Sequence, residues 1–309
     1  MAPALSARMD DCIIIGGGPA GLTAAIYLAR YHLSIRLFDC GSSRAAWIPC
    51  THNHAGYPDG ISGKDLLARM LAQAEKYGAT REQAEVTALK PIEGGFEARV
   101  GDATFTARTV LLATGVVNHR PDMDPAEHDA ALARGLIRYC PVCDGYEVTD
   151  KRVGVIGTGD HGMREALFLR GFTRDVTLIA HQGPHDLPDA CRAELDAAGI
   201  ARLDGPSTPI RIVGDEIAVR TADGEVCFDS IYPALGSRIR SKLAVEAGAR
   251  ASEDGCLEVD DHQRTTLPGL FAAGDVVKGL DQISHAMGEA GVAATTIRNR
   301  LAEDGRLWR

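Results

Sequence analysis

The chain has 309 residues, enough for two domains of ordinary size, and carries a formal net charge of −9 at pH 7. Its composition, with 45% hydrophobic and 24% charged residues, is typical of a globular protein in water. The negative charge and the aromatic content of 5%, without a cluster of Lys and Arg, argue against nucleic acid or an acidic membrane surface as a partner.

No stretch of the sequence reads as a targeting or membrane segment. No apolar run approaches the roughly 20 residues that span a bilayer. Residues 1–11 lead straight into an apolar strand without a secretory segment. The 8 cysteines are scattered except for one close pair, which is unlike the disulfide framework of a secreted domain. We therefore expect a cytoplasmic protein that crosses no membrane.

The first elements predict a strand, a glycine turn and a helix. Cys12–Ile15 is a β-branched run, and Leu22–Ala29 has the composition of a helix. Between them the spacing G-x-G-x-x-G permits a tight turn, a close approach to a pyrophosphate and close helix packing, at Gly16, Gly18 and Gly21. The next strand, Ser34–Phe38, ends at Asp39, which is placed to accept a hydrogen bond from a ribose hydroxyl. This order predicts a dinucleotide site at the helix N-terminus.

The segment from Arg44 to Gly63 is rich in Pro, Gly and His, which predicts a loop that lines a ligand. Cys50, His52 and His54 raise the alternative of a metal, but their spacing fits no structural zinc pattern, so we expect none. After a helix and a β-rich stretch, a buried strand leads into Ala113, Thr114 and Gly115.

A cysteine pair follows a polar turn, Asn118–Asp122, that we interpret as the crossing into a second domain. Cys140 and Cys143 have the C-x-x-C spacing of redox-active thiols, whose thiolate form is the nucleophile in disulfide exchange. One such pair supplies only half of a zinc site, and a passive structural disulfide is uncommon in the cytoplasm. The pair is therefore predicted to carry electrons.

The strand, turn and helix pattern then repeats. Arg152–Ile156 predicts a strand and Met163–Arg170 a helix, with glycines between them at Gly157, Gly159 and Gly162. The following strand ends at Ala180-His181-Gln182, which offers neither an acid for a ribose hydroxyl nor an arginine for a 2′-phosphate, and Arg192 is the nearest cation further along. A final strand leads into Ala273-Gly274-Asp275, and a helix with small residues on one face begins near Gln282.

Together these motifs resemble the low-molecular-weight thioredoxin reductase family of FAD-dependent pyridine nucleotide-disulfide oxidoreductases. The match runs in order over nearly the whole chain, from the first glycine turn through Asn53 and the Cys140–Gly145 motif to the Asp275 turn. The resemblance implies an α/β fold of two Rossmann-like, three-layer ββα domains, the second inserted in the first. The FAD domain would comprise residues 1–117 plus 247–309, and the NAD(P)H-binding-like domain with the redox C-x-x-C would comprise residues 118–246. A homodimer whose domains rotate is also implied.

The resemblance also assigns site residues. Cys143 would face the flavin, Cys140 would exchange with an external disulfide, and Asp144 would shuttle the proton. The residues assigned to FAD are Gly16, Gly18, Pro19, Ala20, Gly21, Asp39, Asn53, Ala113, Thr114, Gly115, Gly274, Asp275, Gln282 and Ile283. Gly157, Gly159 and Gly162 would form the second nucleotide site, for NAD(P)H or a second flavin.

Two departures from the family pattern affect the expected function. The family's NADPH-binding His-Arg-Arg stretch is replaced by Ala180-His181-Gln182, so NADPH is not expected to be the preferred donor. The Gly-Gly-Gln stretch near the flavin is replaced by Arg44–Pro49. We expect a flavin-linked reductase of a thioredoxin-like protein or of a small disulfide. The alternatives are a dithiol oxidase that uses oxygen, a reductase fed by ferredoxin or a second flavin, and a flavin-binding redox sensor.

Overall fold

The structure, a computed structural model, describes residues 9–303 and residue 307. It divides into two compact units. Unit 1 comprises the chain up to Trp47, Ser62–Val117 and the chain from Arg238 on, and unit 2 comprises Ile48–Ile61 and Asn118–Ser237.

The strands and helices alternate in the order that a doubly wound fold requires. The strands are β1 (Asp10–Ile15), β2 (Ile35–Phe38), β3 (Thr80–Glu82), β4 (Val86–Ile92), β5 (Gly95–Val100), β6 (Ala103–Leu112), β7 (Val116–Asn118), β8 (Val153–Ile156), β9 (Val176–Ile179), β10 (Ala201–Leu203), β11 (Ile210–Val213), β12 (Glu216–Thr221), β13 (Gly224–Phe228), β14 (Ser230–Pro233), β15 (Ser237–Ile239) and β16 (Leu270–Ala272). The helices are α1 (Pro19–Arg30), α2 (Gly63–Lys76), α3 (Pro125–Ala133), α4 (Pro141–Asp144), α5 (Gly159–Leu169), α6 (Asp189–Ala197), α7 (Lys242–Ala247) and α8 (Ile283–Glu303). None of these helices combines the length and the apolarity that a membrane crossing needs.

Unit 1 is built on a mixed sheet with the strand order β3-β2-β1-β6-β5-β4, in which β16 also pairs with β6. The strands β1, β2, β3, β6 and β16 run parallel, and β4, β5 and β6 form an antiparallel meander. Ile13 and Val110, on neighbouring strands, are fully buried in its core. The predicted small face of α8 is buried as well, because Ala286, Ala290, Ala293 and Ala294 let this helix pack closely against α1.

Unit 2 contains a parallel sheet of order β10-β9-β8-β14 and an antiparallel meander of order β11-β12-β13. Apolar residues of β8 and β9 are buried on both faces, as the helix connections of parallel strands require. The α/β fold class predicted from the sequence is thereby confirmed.

The compact units differ from the predicted domains at two places. The chain is part of unit 1 again from Arg238, nine residues before the predicted boundary at residue 247, because Ala244 of α7 is buried in the core of unit 1 with Val86 and Leu89. The loop Ile48–Ile61 belongs to unit 2, although the prediction places it in the FAD domain.

Candidate functional site

The first glycine turn of unit 1 has no room for side chains at two of its glycines. A Cβ atom at Gly16, whose φ is +111°, would lie 2.3 Å from the carbonyl oxygen of Ala113. A Cβ atom at Gly21 would lie 1.8 Å from the carbonyl oxygen of Gly16. Pro19 begins α1 at a position where the missing N–H costs nothing. The turn therefore holds the start of α1 directly against β1 and the end of β6.

Asp39 is buried at the end of β2, and its carboxylate is held in place. Arg81 of β3 donates to Oδ2 from Nε at 3.2 Å and from Nη2 at 2.9 Å, and the N–H of Gly41 donates to Oδ1. A Cβ atom at Gly17 would lie 2.5 Å from this carboxylate, which places Asp39 beside the glycine turn. Arg81 is not identifiable from the sequence, because only the pairing of β2 with β3 brings it to Asp39.

A pocket of about 200 Å³ opens beside this carboxylate. Its lining combines the apolar side chains of Leu22, Leu67 and Leu71 with Asp39 and Arg81. An apolar surface beside a fixed acid suits an adenosine, whose base is largely apolar on its faces and whose ribose donates hydroxyl hydrogen bonds. The glycine turn and this pocket thus fit the adenine dinucleotide part of FAD.

The other residues predicted to bind FAD in unit 1 lie at strand ends and at a helix start. After β6, Thr114 donates from Oγ1 to the carbonyl oxygen of Arg240 at 2.7 Å, and Gly115 has a φ of +62°. Gly274, with a φ of +78°, follows β16 and approaches Ala20 so closely that a Cβ atom would lie 3.0 Å from that side chain. Asp275 contacts Arg44. Gln282 and Ile283 stand at the start of α8, where the N–H of Ala286 donates to the carbonyl oxygen of Gln282.

Asn53 lies in the loop that belongs to unit 2, and two of its hydrogen bonds are made there. Its Nδ2 donates to the carbonyl oxygen of Val142 at 3.3 Å, and its Oδ1 accepts from the hydroxyl of Thr51. Val142 stands between the two cysteines, so Asn53 supports the cysteine loop. Its assignment to FAD stays a prediction.

The cysteine pair forms a disulfide at the start of the short helix α4. The Sγ atoms of Cys140 and Cys143 are 2.07 Å apart. The backbone N–H of Cys143 donates to Sγ of Cys140 at 3.1 Å. A donor aimed at a sulfur favours its thiolate form, so the backbone supports a negative charge on Cys140 after reduction.

Asp144, the last residue of α4, is fixed by two partners that the sequence motif does not reveal. Arg138 donates from Nη1 to Oδ2 at 3.1 Å, and the hydroxyl of the fully buried Tyr232 donates to Oδ1 at 2.9 Å. Burial raises the pKa of Asp144 above its ordinary value, whereas Arg138 and the Tyr232 hydrogen bond lower it. A carboxyl group with a raised pKa is suited to give and take a proton beside the thiols.

Two further carboxyl groups in unit 2, those of Glu147 and Glu165, interact electrostatically with Asp144. Burial, and next the charge of Asp144, raise the pKa of Glu165 on α5 to about 7. Oε1 of Glu165 and Oε2 of Glu147 are buried without a hydrogen-bond partner. Sequence reasoning misses Glu165 because α5 carries it to Asp144 from 21 residues further along the chain.

The second glycine turn is looser than the first. A Cβ atom at Gly157 would lie 2.9 Å from the carbonyl oxygen of Ala234, and one at Gly162 would lie 2.8 Å from the carbonyl carbon of Gly157. Gly159 has a φ of +62° with open space around its Cβ position. This glycine begins α5.

Side chains that follow β9 already form hydrogen bonds within the protein. His181 lies 3.3 Å by its Nδ1 from the hydroxyl oxygen of Ser207. Arg192 donates from Nε to the carbonyl oxygen of Leu187 and from Nη2 to that of His185, so backbone groups hold this arginine. Among the described residues, no three His, Cys, Asp or Glu side chains are grouped so that they could hold a metal ion.

The fold and these sites together define a redox protein with two dinucleotide-type turns and a C-x-x-C disulfide. The chain belongs to the pyridine nucleotide-disulphide oxidoreductase family, whose model matches residues 10–290. It is 31% identical to a thioredoxin reductase of Listeria monocytogenes, over 96% of this chain and 95% of that protein. It is 32% identical to the thioredoxin reductase of Mycolicibacterium smegmatis, over 96% and 98%.

Solved structures agree with these relatives. The crystal structure of thioredoxin reductase from Streptococcus pyogenes superimposes with a TM-score of 0.87 at 27% identity, over 96% of this chain and 100% of that one. The resemblance read from the sequence is thus confirmed, as is the prediction of an FAD-dependent disulfide oxidoreductase.

Proposed function

We propose that the chain passes electrons from FAD, held by the turns of unit 1, to the Cys140–Cys143 disulfide, and from these thiols to the disulfide of a thioredoxin-like protein. The observation that carries the proposal is the environment of the pair. A backbone N–H faces Sγ of Cys140, and Asp144 beside it has a raised pKa and fixed partners. Both features assist disulfide exchange, and a protein that only binds flavin needs neither.

FAD, when bound, would supply the electron pair that cleaves the disulfide. With that electron pair the S–S bond would break to give two thiolates, one of which takes up a proton. Asp144 is proposed to donate one proton to the Cys143 sulfur, while Cys140 remains as the thiolate that the Cys143 N–H favours. The Cys140 thiolate attacks the external disulfide and releases one substrate thiolate. Cys143 then returns its proton to Asp144 and attacks Sγ of Cys140, which displaces the second substrate sulfur as a thiolate and restores the S–S bond.

The surface beside the pair supports a protein substrate. Val142 is 47% exposed and Tyr146 is 80% exposed, so an apolar and an aromatic side chain flank the disulfide. Large exposed aromatic side chains are enriched where proteins bind one another. A small disulfide would need no such surface.

The donor is proposed to be a carrier other than NADPH. A 2′-phosphate has nearly two negative charges, and the end of β9 offers it His181 and Gln182 in place of arginines. Arg192 is held by carbonyl oxygens that would have to be given up before it could bind a phosphate.

Anaerobic titration of the purified flavoprotein tests the proposal. We expect NADPH to bleach the flavin slowly. Another reductant, such as reduced ferredoxin, should bleach the flavin rapidly, and the reduced protein should then reduce a thioredoxin-like disulfide in the same sample. Rapid bleaching by low concentrations of NADPH would contradict the donor assignment. Peroxide release from a small dithiol and oxygen, without reduction of the protein disulfide, would favour the oxidase. A Cys143→Ser variant with unchanged disulfide reduction would favour the sensor.

A homodimer is proposed as the working form. On unit 1, Tyr27 of α1 is 42% exposed and Val292 of α8 is 40% exposed, on helices that pack together. Exposed apolar side chains on adjoining helices suit an interface with a second copy. Sedimentation at several concentrations checks this, since a constant monomer mass would contradict it.

A further inference from the structure

Arg44 is the first residue of the segment that replaces the Gly-Gly-Gln stretch expected near the flavin. It begins a short helical turn, Arg44–Trp47. Its Nη1 donates to Oδ2 of Asp275 at 3.2 Å and to Oδ2 of Asp281 at 2.8 Å. One guanidinium nitrogen therefore joins two carboxylates that lie more than 200 residues further along the chain.

These contacts lie at the glycine turn of unit 1. The residue before Arg44, Ser43, has its hydroxyl oxygen 3.3 Å from the position of a Cβ atom on Gly18. On the other side, Gly274, the residue before Asp275, contacts Ala20 of the same turn. Arg44 and Asp275 thus each follow a residue that lies against the turn predicted to receive a pyrophosphate.

The charges around Asp275 are mainly negative. Burial and the neighbouring Asp281 raise the pKa of Asp275, and Arg44 lowers it. Glu289 of α8 accepts the N–H of Gly274 at 2.7 Å and pairs with His285, whose Nε2 lies 3.0 Å from its Oε1. Arg44 supplies a permanent positive charge in direct contact with both aspartates, whereas His285 is charged only when protonated.

We propose that Arg44 prepares this turn for FAD by offsetting the charges of Asp275 and Asp281, which would otherwise repel the diphosphate of the cofactor. The inference rests on the FAD binding of the proposed function and names a residue for it. It also explains the departure from the family pattern, because an arginine replaces residues that carry no charge. Arg44 acts here as a positioning residue for cofactor binding.

The dissociation constant of FAD from the refolded apoprotein, measured by quenching of flavin fluorescence, tests this inference. At low ionic strength and neutral pH, Arg44→Gln is expected to weaken binding about 10-fold, whereas Arg44→Lys keeps most of the affinity. Adding Asp281→Asn to Arg44→Gln is expected to recover most of the loss. Added salt should narrow the difference in FAD affinity between the wild type and Arg44→Gln, because salt screens the repulsion between the aspartates and the diphosphate.

A lower pH should also narrow the difference in FAD affinity between the wild type and Arg44→Gln. Loss of Arg44 removes the group that lowers the pKa of Asp275, so this carboxyl group takes up a proton at a higher pH in the variant. Once protonated, it no longer repels the diphosphate. A role for Arg44 in packing alone would produce neither the salt dependence nor the pH dependence.

Arg250→Gln is the matched control, because Arg250 forms an exposed ion pair with Glu258 in the same unit and should leave FAD binding unchanged. Equal affinities of wild type and Arg44→Gln, or a double variant as weak as Arg44→Gln, would overturn the inference. If Arg44→Gln does not fold, Asp281→Asn alone decides, since it should bind FAD at least as tightly as the wild type and weaker binding contradicts the idea. A wild-type chain that binds no FAD would instead overturn the proposed function.

Discussion

The two glycine turns share a spacing but differ in how tightly they are built. In the first turn, Cβ atoms at Gly16 and Gly21 would overlap backbone oxygens at 2.3 and 1.8 Å. In the second turn, the corresponding distances at Gly157 and Gly162 are 2.9 and 2.8 Å. The first turn thus depends on glycine more strictly than the second.

The strands that follow the turns differ in the same sense. The first strand ends at a buried acid, Asp39, that Arg81 holds beside a pocket. The second strand, β9, is followed by Ala180, His181 and Gln182, which include neither an acid for a ribose hydroxyl nor an arginine for a 2′-phosphate. A tight turn with a fixed acid suits a cofactor that stays bound, whereas a looser turn with neutral side chains suits a ligand that exchanges. The redox pair belongs to the unit with the looser turn.

The largest expected effect separates chemistry in unit 2 from cofactor binding in unit 1. Asp144→Asn should slow disulfide reduction about 100- to 10,000-fold, because it removes the proposed proton donor beside the thiols. FAD affinity should stay at the wild-type value. Turnover and flavin fluorescence titrations measure the two quantities, and Asp223→Asn, at an exposed hairpin position, serves as the control. If FAD affinity falls as much as turnover, chemistry in unit 2 is not separate from cofactor binding in unit 1.

The second prediction makes the same substitution in both turns. Gly16→Ala should destabilise unit 1 by about 3 kcal/mol and prevent FAD retention, because the added atom overlaps Ala113 and the backbone has a positive φ. Gly157→Ala should cost less, about 1 to 2 kcal/mol, because its overlap with the carbonyl oxygen of Ala234 at 2.9 Å is smaller and Gly157 is not one of the glycines with a positive φ. Thermal unfolding and the flavin content after purification measure both. Similar losses in the two variants would show that the turns are equivalent.

The third prediction concerns a buried acid in each unit. Asp39 is paired with Arg81, whereas Oε1 of Glu165 has no partner and the pKa of Glu165 is raised from 4.5 to about 7. A raised folded-state pKa contributes stability that is present below pH 4.5 and is lost as the pH rises through about 7. Between pH 4.5 and 8, the wild type should therefore lose about 2 to 3 kcal/mol more stability than Glu165→Gln.

Urea unfolding of both proteins over this pH range measures the difference. Glu194→Gln, on the solvent side of α6, corrects for the removal of a surface charge. Parallel stability profiles for the wild type and Glu165→Gln would mean that Glu165 is solvated and ionised throughout.

The smallest effect tests the second nucleotide site. Introducing arginines by His181→Arg and Gln182→Arg should raise kcat/KM for NADPH relative to NADH about 10-fold, because a 2′-phosphate gains charge-assisted hydrogen bonds. Steady-state kinetics with both nucleotides measure the ratio. An unchanged ratio of the two kcat/KM values would indicate that the residues after β9 do not contact the ribose of the bound nucleotide.

Local patterns in the sequence predict the parts of the site that depend on neighbours along the chain. The glycine spacings, the strands before them and the Cys140–Cys143 pair can all be read from short segments, because turns and helix starts are set by adjacent residues. Side chains that arrive from elsewhere cannot be read this way. Arg81, Tyr232 and Arg44 each contact a predicted residue through strand pairing or a loop, and the sequence gives no spacing that reveals them.

Asn53 is a predicted site residue whose contacts could not be read from the sequence. The motif around it predicts a loop, and the structure has one, but its side chain supports Val142 of the cysteine loop in unit 2. The direction in which a loop leaves its sheet depends on packing over many residues, so its contacts follow only from the folded chain.

The sequence by itself predicts a dinucleotide site at Gly16–Gly21 and a redox pair at Cys140 and Cys143, because both predictions depend on residues within a few positions of each other. The tertiary structure alone decides how the charges are arranged. It pairs Asp39 with Arg81, Asp144 with Arg138 and Tyr232, and Asp275 with Arg44. These pairings set which carboxyl groups hold a proton, since that depends on burial and on nearby charge in space.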